Sequence, residues 1–113
     1  MQILLFEPDL LFSSQIESAA RKYGFEVRLV ASLHDLIEAL KDGKVFRKMI
    51  VNLDAIDNPE ALQTLAGQQG GERTGYYSHV DTEIAVKAKE AGFDFVLPRR
   101  AFVAKLNELL TKV

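Results

Sequence analysis

The chain contains no cysteine. That excludes a disulfide framework, a thiolate metal site and a catalytic thiol together. Histidine is scarce, with 2 in the chain. His34 belongs to a helix start and His79 to the end of a strand elsewhere, so no two-histidine metal site is expected. Neither charge dominates: 14 Lys and Arg stand against 16 Asp and Glu, a net charge of -2. Affinity for nucleic acid or for membranes is therefore not expected. There is no long apolar run at the start, because Met1 to Phe6 meets Glu7 and Pro8 too early for a signal peptide or a spanning helix. The expectation is a cytoplasmic protein. The glycine-rich stretch Gly67 to Gly71 lacks the lysine and the strand-to-helix setting that a phosphate-cradling loop needs. Ser78 has no His/Asp pair arranged as a nucleophile constellation, so no hydrolase, and no enzyme, is expected.

What is present points to one folded unit. The 113 residues are 48% hydrophobic, enough for an adequate core in a single domain spanning 1–113. Ile3 to Phe6 reads as a first strand stopped by Pro8, which cannot donate to a sheet ladder. Asp9 suits an N-cap, and Phe12, Ile16, Ala19, Ala20 and Tyr23 share one face of the helix that Gly24 ends. Phe25 to Val30 alternates as a second strand. Ser32 and Asp35 resemble a capping box before the stripe Leu33, Leu36, Ile37, Leu40, which closes at Asp42-Gly43.

The central stretch is Met49-Ile50-Val51-Asn52-Leu53-Asp54, an apolar run that fits a strand buried on both faces. Asn58-Pro59 looks like a cap with proline at the first helical position, opening a short helix through Ala61, Leu62 and Leu65. Gly67 to Glu72 reads as a polar loop and Gly75 to Ser78 as a fourth strand. Asp81 or Thr82 caps a helix carrying Ile84, Ala85, Ala88 and Ala91, ended by Gly92. Phe93 to Leu97 is a fifth strand broken by Pro98. A last helix carries Phe102, Val103, Leu106, Leu109 and Leu110. Strand and helix alternate five times with short connections, and right-handed crossovers put helices on both faces of a parallel sheet.

Three segments carry a family likeness: Ile3-Leu4-Leu5-Phe6-Glu7-Pro8-Asp9, Met49 to Asp54, and Glu90-Ala91-Gly92-Phe93-Asp94 running into Phe95-Val96-Leu97-Pro98-Arg99. With the five-fold order, the chain resembles the receiver domain of two-component response regulators, the CheY-like type. The resemblance implies a doubly wound, flavodoxin-like sheet of strand order 2-1-3-4-5. It implies a phosphoacceptor aspartate ending the third strand, two acids after the first strand holding Mg²⁺, a Ser/Thr ending the fourth strand and a lysine ending the fifth. In such sites catalysis is positioning plus charge neutralisation.

Several positions depart from that set. Glu7 is followed by Pro8, so Glu7 and Asp9 form the pair left for Mg²⁺. The acceptor position falls on Asn52 or Asp54; Asn52 is favoured, because a compact apolar run leads directly into it. Ser78 matches the switch hydroxyl. The lysine position is Pro98, in a turn with Arg99 and Arg100, and arginine is no equivalent in reach or shape. Phe95 matches the aromatic that reports the switch state. Three of the five positions are thus altered, at Pro8, Asn52 and Pro98.

The expected function is a degenerate receiver that works in signalling through protein-protein interaction. Its partner surface would be Arg99, Arg100, Phe102 and Lys105, which also allows a homodimer, with no cofactor required. One alternative is a phosphorylation-competent receiver using Asp54 (or Asp57), with Mg²⁺ held by Glu7 and Asp9. The second is a small-anion sensor at the Ser78, Arg99 and Arg100 edge, where bidentate guanidinium contacts could form.

Overall fold

A computed structural model describes residues 2–41, 46–57, 60–67, 71–78 and 83–111. The helix end read at Asp42-Gly43, the cap at Asn58-Pro59, most of the glycine-rich loop, His79 and the cap at Asp81 or Thr82 lie outside these residues. The side chain of Leu65 does too.

Each strand of the described chain feeds a helix. The elements are β1 (Gln2–Phe6), α1 (Leu10–Lys22), β2 (Glu26–Val30), α2 (Leu33–Lys41), β3 (Lys48–Asn52), α3 (Glu60–Gly67), β4 (Glu72–Tyr77), α4 (Glu83–Ala91), β5 (Phe95–Pro98) and α5 (Arg99–Thr111). A single 3-10 turn, Leu53–Ala55, follows β3 directly. The five strands are parallel in the order β2-β1-β3-β4-β5.

Local chemistry fixes the helix ends. The Asp9 carboxylate accepts from the backbone N–H groups of Leu11 (2.9 Å) and Phe12 (3.4 Å), satisfying two donors that α1 leaves free. Ser32 Oγ accepts from Asp35 N at 3.1 Å, the cap that its spacing suggests. Gly24 and Gly92 sit at φ +82° and +106°. There Phe25 N bonds back to Ala20 O and Phe93 N to Ala88 O, so each helix closes through a left-handed residue that glycine adopts without a Cβ penalty.

Strand alternation then sorts the core into two layers. Ile3, Leu5, Ile50 and Tyr76 pack with Phe12, Ile16 and Ala20 of α1 and with Phe102, Leu109 and Leu110 of α5. On the other face, Leu4, Phe6, Met49 and Val51 pack with Leu36, Ala39 and Leu40 of α2, Leu62 of α3 and Ala88 of α4. Adjacent Tyr76 and Tyr77 serve opposite layers, as alternation requires.

Several boundaries differ from the sequence reading, among them β2, which starts at Glu26 rather than Phe25, and β4, which ends at Tyr77 rather than Ser78. The fourth strand begins at Glu72, inside the expected loop, because Lys48 Nζ meets Glu72 Oε1 at 2.9 Å from the neighbouring strand. The fifth strand begins at Phe95 rather than Phe93, and it contains Pro98 instead of breaking before it. That strand borders only β4, so proline's missing donor costs no ladder bond on the open side. There is no turn at Arg99 and Arg100, which form the first turn of α5. Two residues placed on apolar faces point outward: Tyr23, which caps α1, is 40% exposed and Val103 50% exposed.

Candidate functional site

The carboxyl ends of β1, β3 and β4 bring three polar side chains together on the face covered by α1 and α5. Phe6 pairs with Val51, and Asn52 with Tyr76, so Glu7, Asn52 and Tyr76 follow one another across the sheet edge. Glu7 is 1% exposed, and every contact it makes is internal. Its Oε1 accepts from Tyr76 OH at 2.5 Å and from Asn52 Nδ2 at 3.0 Å. Its Oε2 accepts from Asp9 N at 2.9 Å and from Asn52 Nδ2 at 3.1 Å. A buried carboxylate is tolerable only when hydrogen bonds replace the lost water, and bonds to a charged group contribute about 1.5–3 kcal/mol each.

Tyr76 is held as a permanent donor. Burial pushes its phenol well above the ordinary range; the hydrogen bond to Glu7, that residue's charge and the charge of Asp54 push the same way, while Arg99 opposes them. Its ring stacks on Phe102, with centroids 4.5 Å apart and planes at 20°, and meets Phe12 edge-on at 5.5 Å. Phe102 is 0% exposed, which removes it from the expected partner surface. The i, i+3 and i+4 spacing of the last helix did not tell which apolar residues face in; Phe102 does, and Val103 does not.

Arg99 lies close enough to the site for its charge to act on Tyr76. As the first residue of α5 it reaches to α1 and lays its Cζ 3.8 Å from the Phe12 ring centroid, a cation–π contact. Arg100 and Lys105 are exposed. Lys105 lines a cleft of about 150 Å³ with Phe95, Leu97, Glu108 and Leu109. Phe95 therefore belongs to that cleft and pairs with Thr74, two residues before the Tyr76 and Leu97 level; it does not stand at the carboxyl edge.

The Asn52/Asp54 ambiguity has a geometric outcome. β3 ends at Asn52, and the 3-10 turn takes the chain out of strand periodicity before Asp54. Asn52 works in two directions: its amide N–H₂ donates to Glu7, and its Oδ1 accepts from Asp54 N at 3.0 Å, capping the turn. Asp54 is aimed at β4, where its Oδ2 accepts from Ser78 N at 2.7 Å. Its Oδ1 is buried with no hydrogen-bond partner among the described residues, a condition that costs about 1–3 kcal/mol or more for a charged group. Gly75 makes room for this turn: a Cβ there would lie 2.8 Å from Leu53 Cδ1.

The receiver resemblance implies a divalent cation at this edge, and the described residues do not fit one. Both Glu7 oxygens accept two hydrogen bonds each, which fills the lone pairs a carboxylate offers. Asp9 caps α1, and the strand-end position carries an amide whose oxygen is also taken. Among the described residues no group of three His, Cys, Asp or Glu could hold a metal ion. Mg²⁺ demands near-octahedral oxygen ligands, and among the described residues the unpaired Asp54 Oδ1 has no second and third carboxylate grouped with it.

The site residue that the sequence analysis does not single out is Tyr76. Its signal was parity: it lies on the same sheet face as Glu7 and Asn52, at a strand's end. Phe12 as a shelf for Arg99 had no sequence signal, because the contact joins α1 to α5.

No protein-family model matches the chain, and no curated protein matches it. Solved structures do. The chain is similar to a CheY-like response regulator receiver domain protein of Methanospirillum hungatei JF-1, with TM-score 0.79 and 18% identity over 96% of this chain and 92% of that one. It is similar to the receiver domain of a sensor histidine kinase of Pseudomonas aeruginosa PAO1 with magnesium in its active site cleft (TM-score 0.79, 19% identity, 98% and 94% covered). A third is a response regulator of Burkholderia pseudomallei with a phosphorylated aspartic acid and a calcium ion (TM-score 0.77, 15% identity, 96% and 69% covered). Among the described residues no helix is long and apolar enough to cross a membrane.

Proposed function

We propose, on the premise that this chain has the CheY-like receiver fold of the response regulators, that it is a signalling module that takes up no phosphoryl group and acts by binding a protein partner. One observation carries this reading: the side chain at the carboxyl end of β3 is the amide of Asn52, and it is bonded to Glu7. An amide nitrogen offers no oxygen nucleophile to a phosphoryl donor, and its oxygen caps the following turn. The acids that would neutralise phosphoryl charge through a metal are spent on internal hydrogen bonds. Tyr76, Phe102 and Phe12 fill the space beside them with packed rings, one pair stacked and one edge-on.

A module of this kind works as a fixed surface. The basic side chains at the start of α5, Arg99 and Arg100, with Lys105 one helical stretch on, are the proposed contact face, for a partner or for a second copy. Arg99 is pre-ordered on Phe12, which lowers the entropy it would lose on binding a partner's carboxylate.

Phosphoryl uptake decides the matter. The protein is incubated with Mg²⁺ and acetyl phosphate, and separately with beryllofluoride, and followed by intact mass and by its amide spectrum. Mass and spectrum should stay unchanged. A stoichiometric adduct that disappears in Asp54→Asn would overturn the reading in favour of Asp54 as acceptor. Thermal shift with nucleotides and small phosphates should show no more than a salt effect, because Ser78 N already has an anionic partner. Charge reversal at Arg100 and Lys105 should leave the fold intact and weaken any self-association seen by sizing.

A further inference from the structure

The end of β4 carries a feature that the missing phosphoryl chemistry does not explain. Asp54 Oδ2 accepts from Ser78 N at 2.7 Å across the sheet edge, while Oδ1 is buried without a partner. A carboxylate placed only to cap a turn would leave its second oxygen in water, where it loses nothing. This one is turned inward and held there from behind, by Asn52 Oδ1 accepting from Asp54 N and by Leu53 packed onto Gly75. The arrangement is that of an anion presented to a backbone donor at a strand's end.

We infer that the backbone N–H of Ser78 at the end of β4 is a receiving position for a small carboxylate or oxyanion, and that the chain fills it permanently with its own Asp54. The inference rests on the reading that no external phosphoryl group arrives, and it adds what replaces that group. The link between the β3 end and the β4 end is then built into the covalent chain. The β4 end is tied to the β3 turn whatever the supply of phosphoryl donor. Asn52 serves the device twice: its amide nitrogen holds Glu7, and its oxygen aims Asp54. Removing the carboxylate should therefore open a site that a free carboxylate can enter.

The test uses the full chain and needs no phosphoryl donor, so its failure is separable from that of the proposed function, which is an adduct on the wild type. Amide exchange and chemical shift of Ser78 are followed by ¹H–¹⁵N NMR in wild type, Asp54→Ala and Asp54→Asn. In Asp54→Ala the Ser78 amide should move upfield and exchange about tenfold faster or more, the loss expected for one hydrogen bond to a charged acceptor. Sodium formate should restore both, saturably, where sodium chloride at equal ionic strength does not. Asp54→Asn, isosteric and with one acceptor left, should fold and give intermediate values, which keeps the inference testable if the alanine variant unfolds. The wild type should ignore formate. An unchanged Ser78 amide in Asp54→Ala, an accelerated one that formate does not restore, or formate binding at Ser78 in the wild type each overturns the inference.

Discussion

Replacing Asn52 by aspartate puts a carboxylate at the end of β3, where the receiver resemblance leads one to expect it, and the structure says it should be damaging. Asn52 Nδ2 now lies 3.0 and 3.1 Å from the two oxygens of Glu7. Asn52→Asp turns that donor into a second carboxylate about 3 Å from a buried one. Two unit charges at that distance repel by about 5 kcal/mol at an effective dielectric of about 20. A cheaper route exists: the pair can keep one proton between them. Holding it at pH 7, about 3 units above the ordinary carboxyl range, costs about 4 kcal/mol at 1.36 kcal/mol per unit. The smaller figure wins, so the variant should be about 4 kcal/mol less stable than wild type at pH 7. For a domain of this size that corresponds to roughly 15 °C in Tm. The sign of the pH dependence is fixed. The pair's folded pKa is raised above its unfolded value, so the proton's contribution is whole below that unfolded value and is lost as pH rises through the folded one. The deficit should therefore shrink to about 1 kcal/mol by pH 5. Millimolar Mg²⁺ should raise the Tm of the variant, where a second carboxylate now faces Glu7, and leave wild type unmoved. Denaturant melts at pH 5 and 7, with and without Mg²⁺, read all of this. Equal stability of variant and wild type at pH 7, or a deficit that does not shrink on acidification, would refute the placement of Asn52 against Glu7.

Three other substitutions test the surroundings of the site. Tyr76→Phe leaves Glu7 Oε1 one donor short and should cost about 1–3 kcal/mol at neutral pH. Because the folded phenol is raised above the ordinary tyrosine value of 10.0, wild type should lose stability as pH rises past that value, by up to about 1.4 kcal/mol per unit. That contribution should be absent from the Tyr76→Phe melts; an identical alkaline limb in both proteins would show that Tyr76 is not held protonated. Phe102→Ala empties a fully buried position stacked on Tyr76 and should cost about 3–5 kcal/mol. Val103→Ser beside it should fall within about 0.5 kcal/mol of wild type. Comparable losses in the two would mean the assigned helix face is wrong.

The fold was legible because its signals are local. Asp9 and Ser32 announce helix starts through short-range side-chain bonds, Gly24 and Gly92 announce helix ends through a conformation that few other residues adopt, and apolar period separates strands from helices. Alternating strand and helix, joined by short right-handed crossovers, leaves few sheets to choose among, and the observed strand order is the one the receiver resemblance implies. The misses were non-local. Glu72 reads as loop until Lys48 is seen opposite it. Pro98 reads as a strand breaker until β5 is known to be an edge strand.

The sequence by itself determined that this chain folds as a doubly wound sheet and that its strand ends carry Glu7, Asn52 or Asp54, and Ser78. Only the tertiary structure decided what those groups do to one another. Whether an acid is a metal ligand, a cap or the buried acceptor of three neighbours depends on side chains distant in sequence, such as Tyr76 beside Glu7 and Arg99 over Phe12. Strand periodicity cannot separate Asn52 from Asp54, which are two residues apart. The 3-10 turn can, by ending the strand at Asn52 and swinging Asp54 across to Ser78. That turn is held by Leu53 against Gly75 of β4, a contact distant in sequence that no local pattern encodes.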